Sequence, residues 1–91
     1  MLFVALAKVR AGTRQERIAR RLEWQYPEGA RLVAEYWLQI DDPQIISVLE
    51  ADSVAPLMAA VSAWDDVFEL TVVPAITAEE GLQLAMQKVQ K

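Results

Sequence analysis

The chain of 91 residues contains no cysteine, no histidine and no asparagine. Without cysteine there is no disulfide, no thiol nucleophile and no thiolate metal site. Without histidine the chain lacks the usual general base near neutral pH and the commonest metal and haem ligand. A Ser/His/Asp constellation is therefore impossible. Its glycines, Gly12, Gly29 and Gly81, stand far apart, so no glycine-rich phosphate loop can form. No apolar run approaches the roughly 18 residues of a membrane span. The early run Leu2–Ala7 is closed by Lys8, is too short for a signal-peptide core and has no basic residue before it. The expectation is a cytoplasmic protein with no membrane partner. Basic residues are also in deficit. The net charge of −4 argues against generic nucleic-acid binding.

What is present is a globular composition, with 54% hydrophobic and 24% charged residues. The length allows one domain, residues 1–91, with one modest core. Leu2–Val9 is an apolar run of strand length. Thr13-Arg14-Gln15-Glu16 is a capping box that opens a helix to about Gln25. That helix places Gln15, Ile18, Ala19, Leu22 and Tyr26 on one face. Tyr26-Pro27-Glu28-Gly29 ends it. Arg31–Ile40 and Gln44–Ala51 read as strands joined by the turn Asp41-Asp42-Pro43. Asp52 or Ser53 caps a second helix that tolerates Pro56 in its first turn, with Val54, Leu57, Met58, Val61 and Trp64 inward. Val67–Val73 is a fourth strand, and Pro74 suits an edge. Thr77-Ala78-Glu79-Glu80 is a second capping box, opening a helix that carries Leu82, Ala85, Met86 and Val89. The order β-α-β-β-α-β-α predicts an α+β, ferredoxin-like fold: a four-stranded antiparallel sheet with helices on one face.

Such a sheet has a second face without helices. Strict alternation assigns Leu2, Val4, Leu6 and Lys8 to it from the first strand. The second strand adds Val33, Glu35, Trp37 and Gln39, the third Ile46, Val48 and Glu50, and the fourth Val67, Glu69, Thr71 and Val73. Most of these are apolar, too many to leave in water. The simplest cover is a second copy packed sheet to sheet, as a dimer or within a higher oligomer.

Several segments resemble a family of short bacterial and archaeal domains of unknown function in the dimeric α/β-barrel group. They are Met1-Leu2-Phe3, Pro27-Glu28-Gly29, Leu49-Glu50-Ala51-Asp52, and Trp64 with Asp66 and Pro74. The resemblance covers nearly the whole chain and implies a ferredoxin-like homodimer. It also marks departures. The family's Arg-Trp-His run in the second strand corresponds to Glu35-Tyr36-Trp37, a first-strand histidine to Val4 and a fourth-strand glutamate to Thr71. Related barrels that transform aromatic polyketides or haem without a prosthetic group use Trp, Asn or His. With neither Asn nor His, this chain does not inherit those mechanisms.

The candidate chemistry is sparse. Glu35, Glu50 and Glu69 share the helix-free face in this reading and are candidate acid or base groups, or oxygen ligands for a hard cation. The alternative is a solvated rim. Trp37, Thr71 and Lys8 complete a candidate ligand pocket beside them, Trp37 offering an apolar wall and one N–H. The alternative for Trp37 is an interface anchor. Arg14, Arg17, Arg20 and Arg21 form a basic helix face, either an anion or RNA site or a solvated face with a Glu16–Arg20 pair, though Leu2, Val4, Leu6, Ile46 and Val48 offer no aromatic on which a base could stack. Residues 1–31 carry seven basic and three acidic side chains, +4, and the remainder −8. No metal site and no prosthetic group are expected. Two functions follow. The first is a homodimeric barrel that binds or transforms a small apolar or weakly polar molecule. The second is a non-catalytic oligomeric or ligand-sensing module.

Overall fold

The computed structural model describes residues 1–89; the side chain of Val89 lies outside the described part. Its elements are β1 (Leu2–Val9), α1 (Arg14–Glu23), β2 (Ala30–Trp37), β3 (Ile45–Ala51), α2 (Ala55–Trp64), β4 (Phe68–Ala75) and α3 (Ala78–Val89). The strands form one antiparallel sheet in the order β2-β3-β1-β4, the ferredoxin-like arrangement. β4 is an edge strand, so the outward N–H that Pro74 lacks has no further strand to bond. Gly29 turns the chain into β2 with a φ of 94°, and a Cβ there would meet Pro56 at 3.5 Å.

The core is divided. One cluster joins Phe3, Leu49, Ala51 and Leu57, and a second joins Ala7, Trp64, Val67 and Phe68. Val67 is therefore buried, not on the helix-free face where alternation would put it. It precedes β4 and turns into the core before the strand's alternation begins.

The helices depart from expectation at their ends and faces. Thr13 does not cap α1. Its hydroxyl donates to the Arg10 carbonyl at 2.6 Å and accepts from Arg17 Nε at 2.9 Å, while Glu16 pairs with Arg20. Thr77 does cap α3, accepting the Glu80 amide at 3.1 Å. The α2 cap position is Val54, so neither Asp52 nor Ser53 caps that helix. Leu57 and Trp64 point inward, but Val54 and Met58 are exposed. Leu22, expected on the inner face of α1, is exposed, and α1 has no buried residue. Every described residue of α3 except Gly81 is exposed, Leu82, Ala85 and Met86 included. No helix among the described residues is long and apolar enough to cross a membrane.

Candidate functional site

The site begins with one extra residue. β2 pairs regularly with β3 from Ala30 to Leu32, then skips: Leu32 lies opposite Leu49, and Ala34 opposite Val48. Val33 is the unpaired residue of a β-bulge. Because side chains alternate with period two, one extra residue exchanges the two faces beyond it. Ala34 and Tyr36 thus turn to the helix-free face, in line with Val48 and Ile46. Glu35 and Trp37 turn toward the helices, in line with Ser47 and Ile45. The assignment of Glu35 and Trp37 to the helix-free face is corrected on this ground.

Beneath α1 and α2 they meet a cavity of about 660 Å³. Its floor is the sheet, where Ala5, Ala7 and Ser47 leave room on the two central strands. Its roof is Arg14, Arg17, Ile18 and Arg21 from α1 with Ala60, Val61 and Trp64 from α2. Three arginines in place of aliphatic side chains explain why α1 does not close onto the sheet. Their charged heads resist burial, so the helix stands off while their stems cover apolar surface. Trp24 and Tyr26 form an end wall, edge to face at 5.4 Å; Trp24 meets Trp64 at 5.4 Å, and Trp64 meets Phe68 at 5.6 Å. All three tryptophans of the chain line this cavity.

One carboxylate organises the polar wall. Glu35 Oε1 accepts from Ser47 Oγ at 3.2 Å, and Oε2 accepts from Trp37 Nε1 at 2.9 Å and Arg21 Nη2 at 3.3 Å. The Glu35 side chain is only 14% exposed. Arg21 Nε is buried with no partner among the described residues. Leaving a buried donor unpaired costs about 1–3 kcal/mol. Arg17 is better satisfied, donating to Thr13 Oγ1 and to Gln44 Oε1 with its guanidinium 5.7 Å from the Phe68 ring. Burial, and then the charge of Glu35, push the Tyr26 phenol above its ordinary value of 10.0. At the outer end, Arg20 grips both oxygens of Asp66 and also donates to the Ala63 carbonyl, tying α1 to the end of α2. That pairing holds the Asp66 carboxyl below its ordinary value.

A family model described as Domain of unknown function (DUF3303) matches residues 1–89. The chain belongs to that family. No curated protein and no solved structure matches it significantly. In this DUF3303 chain, the stretch Glu35-Tyr36-Trp37 splits between two surfaces, its first and third residues on the cavity and its second on the far face.

The other expected site residues lie elsewhere. Glu50 faces away from the helices and pairs with Arg31 at 2.9 Å. Glu69 lies opposite Lys8, and Thr71 opposite Leu6, also on the helix-free face. Lys8 reaches Asp42 at 3.9 Å. The three glutamates are thus not brought together, because the bulge moves Glu35 to the other side of the sheet. Among the described residues no group of three or more carboxylates could hold a metal ion. One contributor, Ser47, was not foreseen as a site residue, and one set was foreseen with the wrong orientation. Ser47 is the only polar residue among the inward positions of β3, a signal available in the alternation. Arg14, Arg17 and Arg21, expected as a basic face open to an anion, border the cavity together with Ile18, at the spacing of an inward stripe that their charge disguised.

Proposed function

We propose that this domain binds a small molecule with an apolar, flat body in the cavity between the sheet and helices α1 and α2. The observation that carries the reading is the cavity itself. At about 660 Å³ it has the size of a ligand pocket, roughly 300–1,000 Å³, with aromatic walls and few convergent polar groups. Binding is favoured over proton transfer. Both oxygens of Glu35 are occupied by donors, and among the described residues no second carboxylate lines the cavity. The test is tryptophan emission during titration with aromatic acids, quinones and fatty acids. A saturable change with at least one class is expected; emission unchanged throughout overturns the reading.

The working unit in this proposal is a homodimer of the dimeric α/β-barrel type. The helix-free face presents Val4, Leu6, Ile46 and Val48 on its central strands, extended by Ala34, Tyr36 and Val73. Arg31–Glu50 and Lys8–Glu69 border this patch at its two ends. An apolar centre with a charged rim is the makeup of a self-associating surface. Light scattering is expected to give twice the 10.2 kDa chain mass; a monomer at micromolar concentration overturns it.

A further inference from the structure

Resting on the binding reading above, we infer that the occupant of the cavity is an anion, an apolar molecule whose carboxylate is held by Arg21. Three observations converge. The cavity lining contains Arg14, Arg17 and Arg21 against the single carboxylate Glu35, a formal excess of two positive charges in a protein whose net charge is −4. Arg14, Arg17 and Arg21 border the cavity from α1, whereas Arg20, the fourth arginine of that helix, is held by Glu16 and Asp66. The Arg21 fork is also only half used. Glu35 takes Nη2 at a long 3.3 Å, while Nη1, on a side chain that is 39% exposed, makes no hydrogen bond among the described residues. A planar carboxylate uses two adjacent N–H groups of a guanidinium at once, which a neutral amide or a cation cannot do. Glu35 reaches the edge of that fork only at Nη2, because Trp37 and Ser47 also hold its oxygens. The apolar body of the ligand would then lie along Trp24, Trp64 and Phe68.

The experiment compares two probes of the same shape, 2-naphthoate and 2-naphthamide, by tryptophan emission. The acid is expected to bind about tenfold or more tightly than the amide, the range of a hydrogen bond to a charged group. Its advantage is expected to shrink as ionic strength rises. Arg21→Met is expected to bring the ratio of acid to amide affinity to about one. Because Arg21 also holds Glu35, Arg14→Gln provides a second variant. Arg14 makes no ion pair among the described residues, and its loss is expected to narrow the ratio of acid to amide affinity a few-fold. Equal binding of acid and amide to the unaltered protein overturns the anion inference and leaves the binding reading standing. Binding of neither overturns both.

Discussion

Replacing Glu35 by alanine separates the cavity from the open face as the home of this carboxylate. The side chain accepts three hydrogen bonds, and their losses differ in weight. Trp37 is exposed, and its indole N–H can turn to water at little cost. Ser47 is buried and would be left unsatisfied, which costs about 1 kcal/mol. Breaking a fully buried ion pair costs about 3–5 kcal/mol, but Arg21 is 39% exposed and solvent screens it, so about 1 kcal/mol is appropriate. The sum is about 2 kcal/mol, or a fall of about 8–16 °C in Tm for a domain of this size. Urea unfolding followed by far-ultraviolet circular dichroism measures it without relying on the tryptophans beside the mutation. Glu50→Ala is the control, because its pair with Arg31 is exposed and its loss is expected to cost less than about 1 kcal/mol. If Glu35→Ala costs no more than Glu50→Ala, the carboxylate is in water and the reasoning from the bulge is wrong.

Deleting Val33 should regularise β2 without moving any other residue to the opposite face; a native-like circular dichroism spectrum is expected, and an unfolded chain would contradict the assignment of Val33 as the extra residue. Val48→Glu puts a charge between Val4 and Ala34 on the proposed dimer face, and sedimentation should then show the single-chain mass; an intact dimer would place the interface elsewhere. In Tyr36→Phe, which leaves Tyr26 as the only tyrosine, phenolate absorbance should emerge above pH 10.0. The stability tied to neutral Tyr26 is therefore full below its unfolded value and lost as pH rises through the folded one. Asp66 runs the other way: its contribution is present above the ordinary value of 3.8 and lost as pH falls through its lowered folded value, so Arg20→Gln should destabilise at neutral pH and lose that effect in acid.

Local pattern made most of the fold readable. β1 begins and ends where its apolar run does, and the inward positions of β1 and β3 follow from alternation, as do Phe68, Leu70 and Val72 of β4. β2 was not readable in the same way, because a bulge is a property of two strands. Nothing within Ala30–Trp37 marks Val33 as surplus; only the pairing with β3 does. The site inherited that error, since Glu35 and Trp37 lie beyond the bulge. Helix α1 misled for another reason. Hydrophobic periodicity assumes that an inward stripe is apolar, and a stripe of arginines over a cavity breaks that assumption while keeping the spacing. At Thr13, the hydroxyl chose the Arg10 carbonyl and the Arg17 side chain over the helix amides, a competition that the four residues of the box do not reveal.

The small floor of the cavity has a cost that can be traced. Ala5, Ala7 and Ser47 make room by being short, so the space above them exists by omission. A longer aliphatic side chain at position 5 would fill part of that space and join the two halves of the divided core. It would tend to raise the melting temperature by the same contacts that reduce what the cavity can hold. Capacity and rigidity are thus drawn from one volume. Variants chosen only for heat resistance would drift toward a domain that folds better and holds less.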